Sequence, residues 1–182
     1  IYTPTEENFA QKGFIYSTLG AVALQNDNDP NPDFHFNLPS YIEQIDHVEK
    51  SSGFEVKSFI IKDKVTDKPL ELVIAFTGSN QFAKDWLITN FGVSKEQYFD
   101  ARNYVKTLMI REEIKAANLS KVVVTGYSLG GAIAGYVAKN PETSNYINEV
   151  WLFNPSPRLK TDNRDLDYRF WLGSTTKDAL RL

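Results

Sequence analysis

Gly126-Tyr127-Ser128-Leu129-Gly130 limits what this chain can fold into more than any other segment. It follows Lys121-Val122-Val123-Val124-Thr125, which has the length and β-branched character of a fully buried strand. It precedes Gly131-Ala132-Ile133-Ala134-Gly135-Tyr136-Val137-Ala138, which reads as a helix rich in small residues. A strand that enters a helix through G-x-S-x-G must turn sharply at the serine. The turn strains the serine backbone and exposes its hydroxyl, and the two glycines let strand and helix approach closely. The N–H of Leu129, at the helix N-terminus, points where an oxyanion would develop. The five-residue pattern alone is weak; the flanking strand and helix supply the context it needs. Ser128 is the candidate nucleophile, and a structural glycine-rich turn is the alternative.

A chain of 182 residues that is 42% apolar can bury a sizeable core as one domain. A formal net charge of −3, with no basic stripe, argues against a nucleic-acid partner. No apolar run is long enough to span a membrane. The sequence has no cysteine, which excludes disulfides, thiolate catalysis and thiolate metal sites but leaves the compartment open. No signal peptide is visible, and Ile1 in place of Met leads us to expect that N-terminal residues were removed or left out.

Thr5 to about Leu24 reads as a helix with Thr5 as N-cap and a buried stripe of Phe9, Phe14, Tyr16, Leu19 and Ala23. Asn26 to Asp33 is a loop. Its acid and amide density resembles a calcium loop, but it lacks the turn glycine and the closing glutamate, so a solvated loop is favoured. Tyr41 to Val48 reads as an exposed or half-buried helix. Gly53 to Lys62 and Leu70 to Phe76 read as two strands of a hairpin joined by Thr66-Asp67-Lys68-Pro69, the first with a slipped apolar alternation. Ser94 to about Asn118 has helical spacing, with Asn118 suited to a C-cap. Beyond the turn at Ser128, Asn140-Pro141 closes the helix, and Ile147 to Phe153 and Tyr168 to Leu172 read as strands. Strands alternating with helices predict a mostly parallel central sheet with helices on both faces.

An acyl-transfer serine needs a second donor for the developing negative charge. The strand Leu72-Val73-Ile74-Ala75-Phe76 runs into Thr77-Gly78-Ser79, with Asp85-Trp86 just beyond. A-F-x-G-S, then D-W, then V-x-G-x-S-L-G-G resembles the fungal-type (class 3) lipases of the α/β-hydrolase fold. Phe153-Asn154-Pro155-Ser156-Pro157-Arg158 is similar to that family's phenylalanine-glycine-x-proline-arginine segment. The resemblance runs from about Phe54 to Leu182. It implies Ser128 as nucleophile and Ser79 as donor of a second oxyanion-hole N–H beside Leu129. It also implies that Phe82 to Phe91 forms or abuts a lid, with Phe82, Trp86 and Tyr127 near the substrate. Ser79 as a turn serine, Trp86 as a core anchor and the lid segment as a packed amphipathic helix remain open. The sequence departs from the family at Tyr127 (usually His), Thr77 (usually Arg), Thr89 (usually Asp) and Asn154 (usually Gly). None of these removes a catalytic group.

The mechanism also needs a base for the serine proton and an acid to orient the base, in the chain order Ser, acid, His. Tyr168-Arg169-Phe170-Trp171 followed by Asp178 is similar to the family's stretch ending at the catalytic aspartate, which makes Asp178 the candidate acid and Asp167 a weaker rival. No histidine follows Ser128. His35 and His47 both lie upstream, where a surface or hydrogen-bonded structural role is the better reading. The fold is thus expected to be an α/β-hydrolase-like domain over 1–182, incomplete at the C-terminus, with the histidine beyond Leu182.

The resulting expectation is a serine carboxylic-ester hydrolase of the lipase or esterase type. It would act on a lipid or small ester, with a membrane or lipid interface as a candidate partner and with no metal and no organic cofactor. These 182 residues by themselves are expected to turn over weakly or not at all. The alternative is a non-catalytic binding or scaffold domain on a hydrolase fold. An acyltransferase with the same triad is a third reading.

Overall fold

The structure is a computed structural model, and it describes residues 6–26, 30–31, 35–77, 95–155 and 167–173. Six strands form one sheet in chain order: β1 (Ile42–Glu49), β2 (Glu55–Lys62), β3 (Pro69–Phe76), β4 (Lys121–Tyr127), β5 (Glu149–Phe153) and β6 (Phe170–Gly173). β1–β2 and β2–β3 are antiparallel; β3–β4, β4–β5 and β5–β6 are parallel. The helices are α1 (Glu6–Ala23), α2 (Lys95–Met109), α3 (Glu112–Ala116) and α4 (Ser128–Lys139). No helix among the described residues is long and apolar enough to cross a membrane.

Both faces of the sheet are covered. On one, Tyr16, Leu19, Val22 and Ala23 of α1 pack against Phe59, Val73, Ala75, Val123 and Trp151. On the other, Ala101, Val105 and Leu108 of α2 and Ile133, Val137 and Ala138 of α4 pack against Val56, Leu72, Ile74, Val124 and Leu152. Parallel strands covered in this way read as continuous apolar runs, which is why β3 and β4 do.

Three sequence expectations need correction. Tyr41 to Val48 is not a helix: residues 42–49 form the edge strand β1. Its apolar residues Ile42, Ile45 and Val48 recur every third position, as they would on a helix. A bulge between Gln44 and Asp46 instead resets the alternation, so Ile42 joins the α1 face and Val48 the α2 face. Phe14 is not in the buried stripe of α1 but 73% exposed. The helix turns Gly13 toward the sheet instead, where an added Cβ would lie 3.0 Å from the Trp151 ring. Ser94 to Asn118 is not one helix. The chain breaks at Ile110 and Arg111, where Arg111 is extended and its Nη2 reaches Asp46 Oδ2 of β1 at 2.6 Å. Asn118 does end α3, with φ +48. Thr5 and Phe9, the other residues proposed for the first helix, lie outside the described residues and side chains.

The polar residues of β2 are buried along with the apolar ones, because no face of this strand meets solvent. Each has a partner. Lys57 Nζ donates to the carbonyls of Gln25 (2.9 Å) and Val22 (3.4 Å), closing the C-terminal end of α1. Ser58 Oγ bonds the Tyr104 hydroxyl at 2.7 Å. Burial is the main influence holding that phenol well above its usual range. Glu55 is 2% exposed; its carboxylate accepts from Thr77 Oγ1 (3.2 Å) and lies 3.0 Å from His47 Nε2.

Candidate active site

β4 is buried from Val122 to Gly126 and then gives way directly to α4. Tyr127 is still extended (φ −100, ψ 145), while Ser128 has φ +49. A left-handed backbone is costly for a residue with a Cβ, so the surrounding structure must impose it. It does so through two close approaches. A Cβ on Gly126 would stand 2.4 Å from the Gly130 carbonyl carbon, and one on Gly130 would stand 2.0 Å from the Phe76 carbonyl oxygen. Only glycine fits at either position, so the first turn of α4 lies directly on the ends of β3 and β4. Gly131, Ala132, Ala134 and Gly135 then bury the near side of α4 with little side-chain bulk.

Ser128 and Leu129 are half-buried at the C-terminal edge of the parallel strands. Leu129 is the second residue of α4, so its N–H is one of the four with no acceptor inside the helix, at the positive end of the helix dipole. Ser128 is the first residue of that helix, whose N-terminal N–H groups can bind an anion. β3 ends at Phe76, and buried Thr77 anchors the chain there by donating its N–H to the Glu55 carbonyl at 3.1 Å. β3 and β4 thus end side by side, with Phe76 paired to Gly126 two residues before Ser128. Ser79, Phe82 and Trp86 follow Thr77 in the chain, outside the described residues.

Tyr127 points to the α1 side. Its hydroxyl donates to the Ser17 carbonyl at 3.2 Å, and its ring stacks on Phe153 at 5.2 Å. Asn154 follows β5 with φ +42, a conformation that glycine adopts freely and asparagine tolerates, and its N–H donates to the Gly173 carbonyl at 2.7 Å.

Asp178 lies outside the described residues. Asp167 is bound to Arg169: Oδ1 accepts from Nε at 2.9 Å and Oδ2 from Nη2 at 2.7 Å. The guanidinium holds that carboxyl below its usual range. Arg169 also donates to the carbonyls of Ala138, Ser144 and Ile147, tying β6 to the end of α4. Among the other downstream carboxylates, Glu142 pairs with Arg102 and Lys106, and Glu149 with Lys121. His35 precedes the sheet. His47, on β1, bridges toward Glu55 and Glu49. Reading β1 as a helix hid this grouping; the His47-x-Glu49 alternation, which sets both side chains on one face of a strand, was the signal for it.

A family model described as the Tle-like phospholipase domain matches residues 37–147, well over half of the chain. The chain belongs to the Tle-like phospholipase domain family. The match runs from the approach to β1 to just before β5 and includes the Ser128 turn. No curated protein matches. Among solved structures, this Tle-like domain is similar to the Lip2 lipase of Yarrowia lipolytica, with a TM-score of 0.54 at 15% identity over 86% of this chain and 64% of that one. It also aligns with brefeldin A esterase, a bacterial homologue of human hormone-sensitive lipase, at a TM-score of 0.39 and 18% identity, over 80% of this chain and 47% of that one. The domain thus spans under two thirds of the length of either. The likeness to Lip2 establishes a lipase-like, α/β-hydrolase fold.

Proposed function

We propose that this Tle-like domain carries the nucleophile of a serine hydrolase that cleaves carboxylic esters of lipids, phospholipids first among them. One observation carries the reading. Ser128 is held at φ +49 between a buried strand and a helix N-terminus by two glycine contacts that no other residue fits. A strained, partly exposed serine at the first position of a helix suits attack on an ester carbonyl. The family's description as phospholipase supports the substrate class.

In this reading Ser128 Oγ attacks the carbonyl carbon and forms a tetrahedral intermediate, whose oxyanion lies toward the N–H groups of Leu129 and Ser79. Asp178 orients a histidine proposed to lie beyond Leu182. That histidine takes the serine proton and returns it to the leaving alcohol, and water then hydrolyses the acyl-enzyme.

Hydrolysis of p-nitrophenyl esters and of phospholipid vesicles by the full-length protein tests this. Ser128→Ala is expected to lower the rate by at least about 10⁴-fold with the fold intact. A full-length protein inert toward both substrates would favour a binding domain.

A further inference from the structure

A second cluster of chemistry-bearing side chains lies on β1 and β2, with β3 between it and the strand leading to Ser128. In the antiparallel register Glu49 stands directly opposite Glu55, and His47 opposite Lys57. Alternation puts His47, Glu49 and Glu55 on one face. His47 Nε2 is 3.0 Å from Glu55 Oε1 and 3.3 Å from Glu49 Oε1, and one ligand atom from each residue lies within 4.8 Å of the others. We propose that these three residues form a binding site for a divalent transition metal, with Zn²⁺ the ion that fits best.

Distance, charge and access support the site. Donors about 2.0–2.2 Å from a tetrahedral ion stand about 3.3–3.6 Å apart, and the two separations from His47 Nε2, 3.3 and 3.0 Å, are close to this. Two carboxylates directly opposite each other across an antiparallel pair repel. Glu55 is 2% exposed, and a buried carboxylate needs a cation or several donors. An imidazole contributes at most one positive charge, whereas a divalent ion balances both glutamates. Thr77 Oγ1 donates to Glu55 Oε2 and turns Oε1 toward His47, as the outer partners of metal ligands do. Glu49 is 64% exposed, so the ion enters from solvent. Imidazole with carboxylates selects zinc over calcium and magnesium, which prefer all-oxygen shells.

The site does not depend on ester hydrolysis, and metal binding alone tests it. The chain has two histidines and no cysteine, so the assignment is sharp. Calorimetric titration of the folded protein with Zn²⁺ is expected to show one ion per chain, with Mg²⁺ and Ca²⁺ binding far more weakly. His35→Gln should leave the titration unchanged. His47→Gln and Glu49→Gln should each weaken it by at least about tenfold while far-ultraviolet dichroism stays as in the wild type. The partly exposed Glu49 makes the second substitution safe for folding. Co²⁺ should give visible bands that Glu49→Gln removes. Absence of stoichiometric Zn²⁺ binding, Mg²⁺ or Ca²⁺ binding as tight as Zn²⁺, or wild-type affinity in either variant would overturn the proposal.

Discussion

The Phe76 carbonyl oxygen lies 2.0 Å from where a Cβ on Gly130 would stand. The last residue of β3 thus fixes how closely the first turn of α4 approaches the sheet, and with it the height of Ser128. Backbone carbonyl is the obstacle, so no side-chain rotation relieves the overlap. Gly130→Ala is expected to destabilise the fold by more than about 3 kcal/mol, or to prevent recovery of soluble protein. Gly131→Ala meets the Gly126 carbonyl oxygen at 3.1 Å and Pro155 at 3.4 Å, contacts a small shift relieves, and should cost clearly less. Urea unfolding of the two variants gives the ranking.

Lys57 is fully buried, and its ammonium closes the C-terminal end of α1 on the Val22 and Gln25 carbonyls. Lys57→Met keeps the stem and removes the donors. The expected loss is about 1–3 kcal/mol. Hydrogen exchange should show the last turn of α1 deprotected before β3 and β4 change.

Arg169 joins β6 to the end of α4, and Asp167 holds its guanidinium in place. Arg169→Lys cannot reproduce the fork and should destabilise the fold by about 2 kcal/mol.

The Asp167 carboxyl titrates below its ordinary range because of Arg169. A carboxyl depressed in the folded state contributes stability that is complete above its unfolded pKa, about 3.9, and lost as pH falls through the folded value. Asp167→Asn should therefore be less stable than wild type at pH 7, and the gap should close below about pH 4. Urea midpoints at the two pH values measure it.

Much of the architecture could be read from local pattern. The hairpin, the buried strand before Ser128, the small-residue helix after it and the left-handed end at Asn118 all follow from residue type and spacing. β1 could not be read this way. A bulge let residues spaced for a helix serve two faces of a strand, and a bulge is specified by pairing with β2, not by local preference. Exposure of Phe14 was hidden for a similar reason: which side of α1 faces the sheet depends on Gly13 meeting Trp151, a partner distant in sequence. The slipped alternation of β2 gave no sign that its polar residues are buried, because the partners of Lys57 and Ser58 lie 32 and 46 residues away. Ser128 itself was legible because the turn that presents it is built from five consecutive residues.

Labelling with a fluorophosphonate, followed by peptide mapping, tests the central claim most directly. The account predicts that the full-length protein is modified at Ser128 and nowhere else, that denaturation before labelling abolishes the reaction, and that Ser128→Ala does not label. A folded full-length protein whose Ser128 stays unmodified, or whose label sits on another residue, would contradict it.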